Sequence, residues 1–180
     1  MSGFWGEPLA LLGGAVFTLL LVVVCVSDLR RRRIPNRLVG TLAVAGIGYA
    51  LAVMPIVSAL RYALGGAAVG LGLWLPFWAM RVLGAGDVKL VAASGTWLGP
   101  LGVLEASLYG AALGGLLAVW ALARTGGITR VLPRFGTWLF ASRVMRRIAP
   151  ETIPAEKRVP YGLALAAGAA IAGWYPGLIL

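Results

Sequence analysis

Charged residues along this chain are confined to short clusters, and the stretches between them are long enough to set the fold. A hydrocarbon layer about 30 Å thick takes roughly 20 apolar residues of helix to cross. Uncharged stretches of that order predict spans at 8–27, 38–56, 62–80 and 159–178. Residues 90–123 carry one charge, Glu105, and place Gly99-Pro100 near their middle. That pair breaks a helix, so the stretch reads as two shorter spans, 88–99 and 101–123, joined by a tight turn. The expected fold is all-α, a single polytopic membrane domain of six transmembrane helices over residues 1–180. The first span has Glu7 and no Lys or Arg on its N-terminal flank, and no small-residue cleavage pattern follows it. It is therefore expected to be a permanent helix rather than a signal peptide.

The remaining connection, 124–158, is predicted to be a cytoplasmic loop containing an amphipathic helix. Phe135, Trp138, Leu139, Val144, Met145 and Ile148 recur at near-helical spacing against Arg143, Arg146 and Arg147, the pattern of a helix lying in the membrane interface. With the N-terminus outside, only Arg61 of the sixteen lysines and arginines falls in an outer connection. The positive-inside rule thus selects a topology with both termini outside the cytoplasm. A net charge of +10 is then explained by a basic inner face lying against anionic lipid, with no nucleic-acid partner required. Trp5, Trp97 and Trp174 are expected to be interfacial anchors or packing residues.

Composition narrows the chemistry further. Of the 180 residues 60% are apolar, and the mean hydropathy is +0.90. There is no histidine, and Cys25 is the only cysteine, which excludes His-based triads, His-ligated metals and disulfide scaffolds. No metal or organic cofactor is expected. Six acids remain, and only two are aspartates, Asp28 and Asp87. Both fall at the inner edge of a predicted span, where a carboxylate is costly. Taken singly, Asp28 also reads as a juxtamembrane charge offset by Arg30–Arg33, and Asp87 as the N-cap of the fourth helix. Taken together, with Gly84 and Gly86 permitting close backbone approach, they suggest two carboxylates sharing a proton and activating a water against a peptide carbonyl.

Three motifs carry a family resemblance: Asp28 with the basic run and Ile34-Pro35-Asn36; Gly84-Ala85-Gly86-Asp87-Val88-Lys89-Leu90; and Val159-Pro160-Tyr161-Gly162. In this order the chain resembles the prepilin peptidases (type IV leader peptidases), membrane aspartic proteases of the GxGD type. The resemblance implies that Asp28 and Asp87 are the catalytic pair. It implies substrates too: type IV prepilins or pseudopilins, cleaved at the cytoplasmic face of the inner membrane between a short basic leader and an apolar helix. Larger members carry a cytoplasmic domain with paired CxxC motifs, associated with N-methylation. Here about ten residues separate the first two spans, so the chain looks like the compact form serving Flp-type pili, with archaeal preflagellin peptidases as near neighbours. Leu163 stands where many members have proline.

Lys89 is expected to favour the ionised carboxylate, to contact an acidic residue early in the mature pilin, or to serve as an ordinary inner-face charge. Pro35 and Asn36 are expected to start the second helix, with Asn36 as its cap. Gly84, Gly86, Pro160, Tyr161 and Gly162 complete the set of support or substrate-contact candidates. Ser94 and Thr96 lack a base to activate them. Two other readings stay open on the residues alone, a small ion or proton transporter with an inner di-aspartate site and a non-catalytic assembly factor docking through 124–158.

Overall fold

The computed structural model describes residues 8–31, 34–79, 83–124 and 161–178. The expected amphipathic helix of the 124–158 loop, Trp5 and Pro160 lie outside them. The described residues are helical, in the order α1 (Pro8–Arg31), α2 (Asn36–Val53), α3 (Ile56–Ala79), α4 (Ala85–Arg124) and α5 (Tyr161–Trp174), with no strand among them. They fall in two compact units, 8–114 with 161–178, and 115–124. Among the described residues four helical stretches are long and apolar enough to cross a membrane: Pro8–Arg30, Asn36–Val53, Ile56–Ala79 and Ala85–Leu117. At 1.5 Å per residue α1 and α3 are each about 36 Å long. α5, at 14 residues, is a shorter apolar helix.

Chain chemistry explains the boundaries. Proline disfavours helical backbone in the residue before it, so the α1–α2 connection is extended at Ile34 and Pro35, and α2 starts at Asn36. Between α2 and α3 the turn lies at Met54-Pro55, not near residue 61. Arg61 therefore sits in the second turn of α3, exposed, rather than in an outer loop. The uncharged run through this region gave no polar marker for the turn; Pro55 alone breaks it. α4 spans 40 residues as two helical arms broken at Gly99, whose φ of 70° and ψ of −177° belong to glycine alone.

Contacts with α3 show what the break does. Before Gly99, α4 runs antiparallel to α3: a Cβ on Gly70 would lie 3.0 Å from Val91 O, and Gly66 packs on Gly95. After it, α4 runs parallel to α3, with Val103 beside Gly70 and Trp74 Nε1 donating to Ser107 Oγ at 2.9 Å. The chain therefore reverses at Gly99-Pro100, the place where the sequence predicts a turn between two shorter helices.

Small residues and indole donors hold the remaining contacts. α1 packs on α2 and α5, and α2 on α3. Gly168 of α5 meets the backbone of Ala106 and Gly110. Trp97 Nε1 donates to Leu42 O at 2.8 Å, and its ring lies 5.2 Å from Phe17 and 5.4 Å from Tyr49. Trp174 Nε1 donates to Thr18 Oγ1 at 2.9 Å. Trp97 and Trp174 are thus packing residues that cross-link helices, the second of the two roles expected for them. Their bonds matter where water is scarce, because an unmade bond there leaves a polar group in hydrocarbon.

Candidate active site

The antiparallel and parallel pairings bring four chain segments to one end of the larger unit. These are the last turn of α1, the Ile34–Asn36 connection, the start of α4 and the start of α5.

Asp28 lies in the last turn of α1, three residues before its end at Arg31, and is 8% exposed. Its Oδ2 is buried with no hydrogen-bond partner among the described residues. Leaving a buried polar atom unpaired costs on the order of 1–3 kcal/mol, more when it is charged, so such an atom in a native fold asks for a functional reason. Gly162, in the first turn of α5, packs against Asp28. A Cβ there would stand 2.7 Å from Asp28 Oδ2 and 3.1 Å from Ile34 Cδ1. Only glycine leaves the Asp28 carboxylate its position.

Asp87 is placed differently. It is half-buried and is the third residue of α4, not its cap. Gly84 takes the cap position: its carbonyl accepts from Asp87 N at 3.1 Å and Val88 N at 3.5 Å. Its own N–H donates to Asp87 Oδ2 at 3.1 Å. This is the acidic half of a capping box, a carboxylate fixed at the positive end of a helix. The cap reading and the site reading of Asp87 are therefore compatible, since the same bond that starts α4 also fixes the carboxylate.

The supporting candidates divide. Gly86 packs against Ile34, with a Cβ there 3.2 Å from Ile34 Cβ. Tyr161 is within electrostatic reach of Asp87; its ring lies edge-on to Trp74 at 6.3 Å and covers Gly114. Pro35, at φ −65° and ψ 135°, is the cap residue of α2 and makes no side-chain cap bond. Asn36, expected as the cap, is instead the first helical residue, and its Oδ1 accepts from Lys89 Nζ at 3.1 Å. Proline already holds the extended cap backbone, so the asparagine side chain is released to bridge to α4. Ser94 is buried and its hydroxyl has no partner among the described residues, while Thr96 donates to Ala93 O at 2.7 Å. No group of three acids, cysteines or histidines suited to a metal occurs among the described residues.

The residue that sequence reasoning passed over is Ile34. It was legible only as part of a motif, whereas in the fold it touches both Gly86 and Gly162.

The type IV leader peptidase family matches residues 15–119, a range holding both aspartates and the first two motifs. The chain belongs to that family. It is similar to the prepilin leader peptidase/N-methyltransferase of Dickeya chrysanthemi, 36% identical over 153 residues, which cover 78% of this chain and 52% of the relative. A protein of the same name from Pectobacterium carotovorum subsp. carotovorum is 34% identical over 144 residues, 75% of this chain and 50% of its own. The Xanthomonas campestris pv. campestris protein is 34% identical over 138 residues, 71% and 46%. As a leader peptidase family member the chain thus spans about half the length of the curated relatives it matches. No solved structure matches it.

Proposed function

We propose that this chain is an aspartic endopeptidase of the inner membrane that removes the short basic leader from type IV prepilins or pseudopilins, with Asp28 and Asp87 as its catalytic pair. One observation carries the reading. Asp28 Oδ2, buried and unpaired among the described residues, abuts Gly162, and Ile34 borders both Gly162 and Gly86, the residue before Asp87, so a single side chain links the surroundings of the two aspartates. The relatives' names join leader peptidase to N-methyltransferase; the reading takes the peptidase half, for which this pair supplies the chemistry.

One carboxylate removes a proton from water as the oxygen attacks the scissile carbonyl carbon. The other donates its proton to the carbonyl oxygen. Collapse of the tetrahedral adduct breaks the C–N bond and delivers a proton to the departing amine, leaving a carboxyl-terminated leader and a free amino terminus. Which aspartate starts protonated is a property of the pair.

The topology that goes with this reading has six crossings, the two arms of α4 counting separately and α5 the last, with both termini outside and the pair at the cytoplasmic face. Support comes from the reversal at Gly99 and the distribution of Lys and Arg. The test incubates membranes containing the protein with a prepilin. Asp28→Asn and Asp87→Asn should each lower cleavage by about a hundredfold or more. Full cleavage by either variant would overturn the pair.

A further inference from the structure

Ile34 occupies an unusual position among the four segments of the site. It is the described side chain that borders both glycines adjoining the acids, Gly86 on the Asp87 side and Gly162 on the Asp28 side, at 3.2 Å and 3.1 Å from a Cβ built on each. Neither helix start offers a side chain of its own at these points, so the isoleucine fills the gap between them. Its geometry is stiff for three reasons. A residue before proline is biased away from helical backbone, a β-branched side chain is restricted at χ1, and the connection is tied on its other side by the Lys89–Asn36 bond of 3.1 Å.

We propose that Ile34 is a positioning residue that sets the separation of the Asp28 and Asp87 carboxylates. This rests on the two being a catalytic pair. A smaller side chain lets the starts of α4 and α5 close on each other, and a differently branched one pushes them unevenly. Either change alters how strongly the two acids couple, without touching substrate. Among the described residues the other titratable and charged groups at this end are Cys25 and Arg30 on α1, Arg37 on α2, Lys89 on α4 and Tyr161 on α5. None is altered by substitution at 34.

The experiment measures kcat, KM and the pH–rate profile for Ile34→Val and Ile34→Ala on the same prepilin, beside Asp28→Asn and Asp87→Asn, with thermal melts in detergent as the check on folding. Ile34→Val keeps the β-branch against Gly86 but lacks the Cδ1 that borders Gly162, so it lowers kcat by less than Ile34→Ala does. Ile34→Ala lowers kcat about tenfold or more with KM within about twofold, and changes the spacing of the two limbs of the pH profile by about a unit. If Ile34→Ala does not melt cooperatively, Ile34→Leu, which conserves volume but moves the branch, replaces it under the same criteria. A wild-type kcat and pH profile, or an effect on KM alone, overturns the positioning role while inactive aspartate variants leave the catalytic pair standing. Full cleavage by the aspartate variants overturns the pair itself.

Discussion

At Gly162 the requirement for glycine is one of space rather than backbone freedom, since its φ is not positive. An added methyl would press on the Asp28 Oδ2 at 2.7 Å, closer than carbon and oxygen tolerate. The short aspartate side chain is the part that yields, because the other neighbour, Ile34, is itself wedged. Gly162→Ala is therefore expected to lower kcat by about tenfold or more through displacement of a reacting group, while thermal stability falls by only about 1–3 kcal/mol, the usual cost of overpacking. Gly40→Ala, on α2 with nothing within 4 Å, is the control: kcat should be unchanged, and stability unchanged or raised by about 0.5–1 kcal/mol. Cleavage kinetics and melts of the two variants decide the matter; an unchanged kcat in Gly162→Ala would show that Asp28 need not stay where Gly162 leaves it.

At the scale of elements, the first arm of α4 is held by close approach to α3. Gly66 and Gly95 meet backbone to backbone, and a Cβ at Gly66 would strike the Gly95 carbonyl. Backbone cannot swing aside as a side chain can, so Gly66→Ala must separate the helices, at a cost of about 1–3 kcal/mol or more. Gly72, on the same helix with open space around it, should show the opposite sign: alanine there is expected to be neutral or to stabilise by about 0.5–1 kcal/mol. Melting both variants in the same detergent compares them directly. This level also marks what could be read from the chain. The long apolar runs and the Gly99-Pro100 break are local properties, so helix content and the reversal were legible. The α2–α3 turn at Met54-Pro55 was not, because the run around it is uniformly apolar and Arg61 was the only visible marker. Nor was the pairing of Lys89 with Asn36 or the wedge at Ile34, since both depend on which helix ends meet, and no periodicity within one helix records that. The two aspartates were legible by scarcity, as the only two in a chain without histidine, but the different way each is held was not.

For the whole molecule, the proposed orientation of the bundle rests on the distribution of charge. Asp28, Asn36, Asp87 and Tyr161 share one end, and Arg30, Arg37 and Lys89 lie at that end as well. Glu105 lies toward the other, buried and accepting from Gly177 N at 3.0 Å. Placing Arg61 inside α3 does not disturb this asymmetry, because a long exposed side chain one turn from a helix end can extend to the interface. The positive-inside rule therefore supports the proposed orientation, with the aspartate end inward, where a basic leader would be presented. In a Cys25→Ser background, Ser58→Cys near the α2–α3 turn is expected to react with a membrane-impermeant maleimide on intact cells. Ala85→Cys, exposed at the start of α4 beside Asp87, should react only after the membrane is permeabilised. The inverse labelling pattern would turn the bundle over and put the carboxylates on the face away from newly made prepilin, removing the topological support for leader cleavage even if both aspartates proved essential.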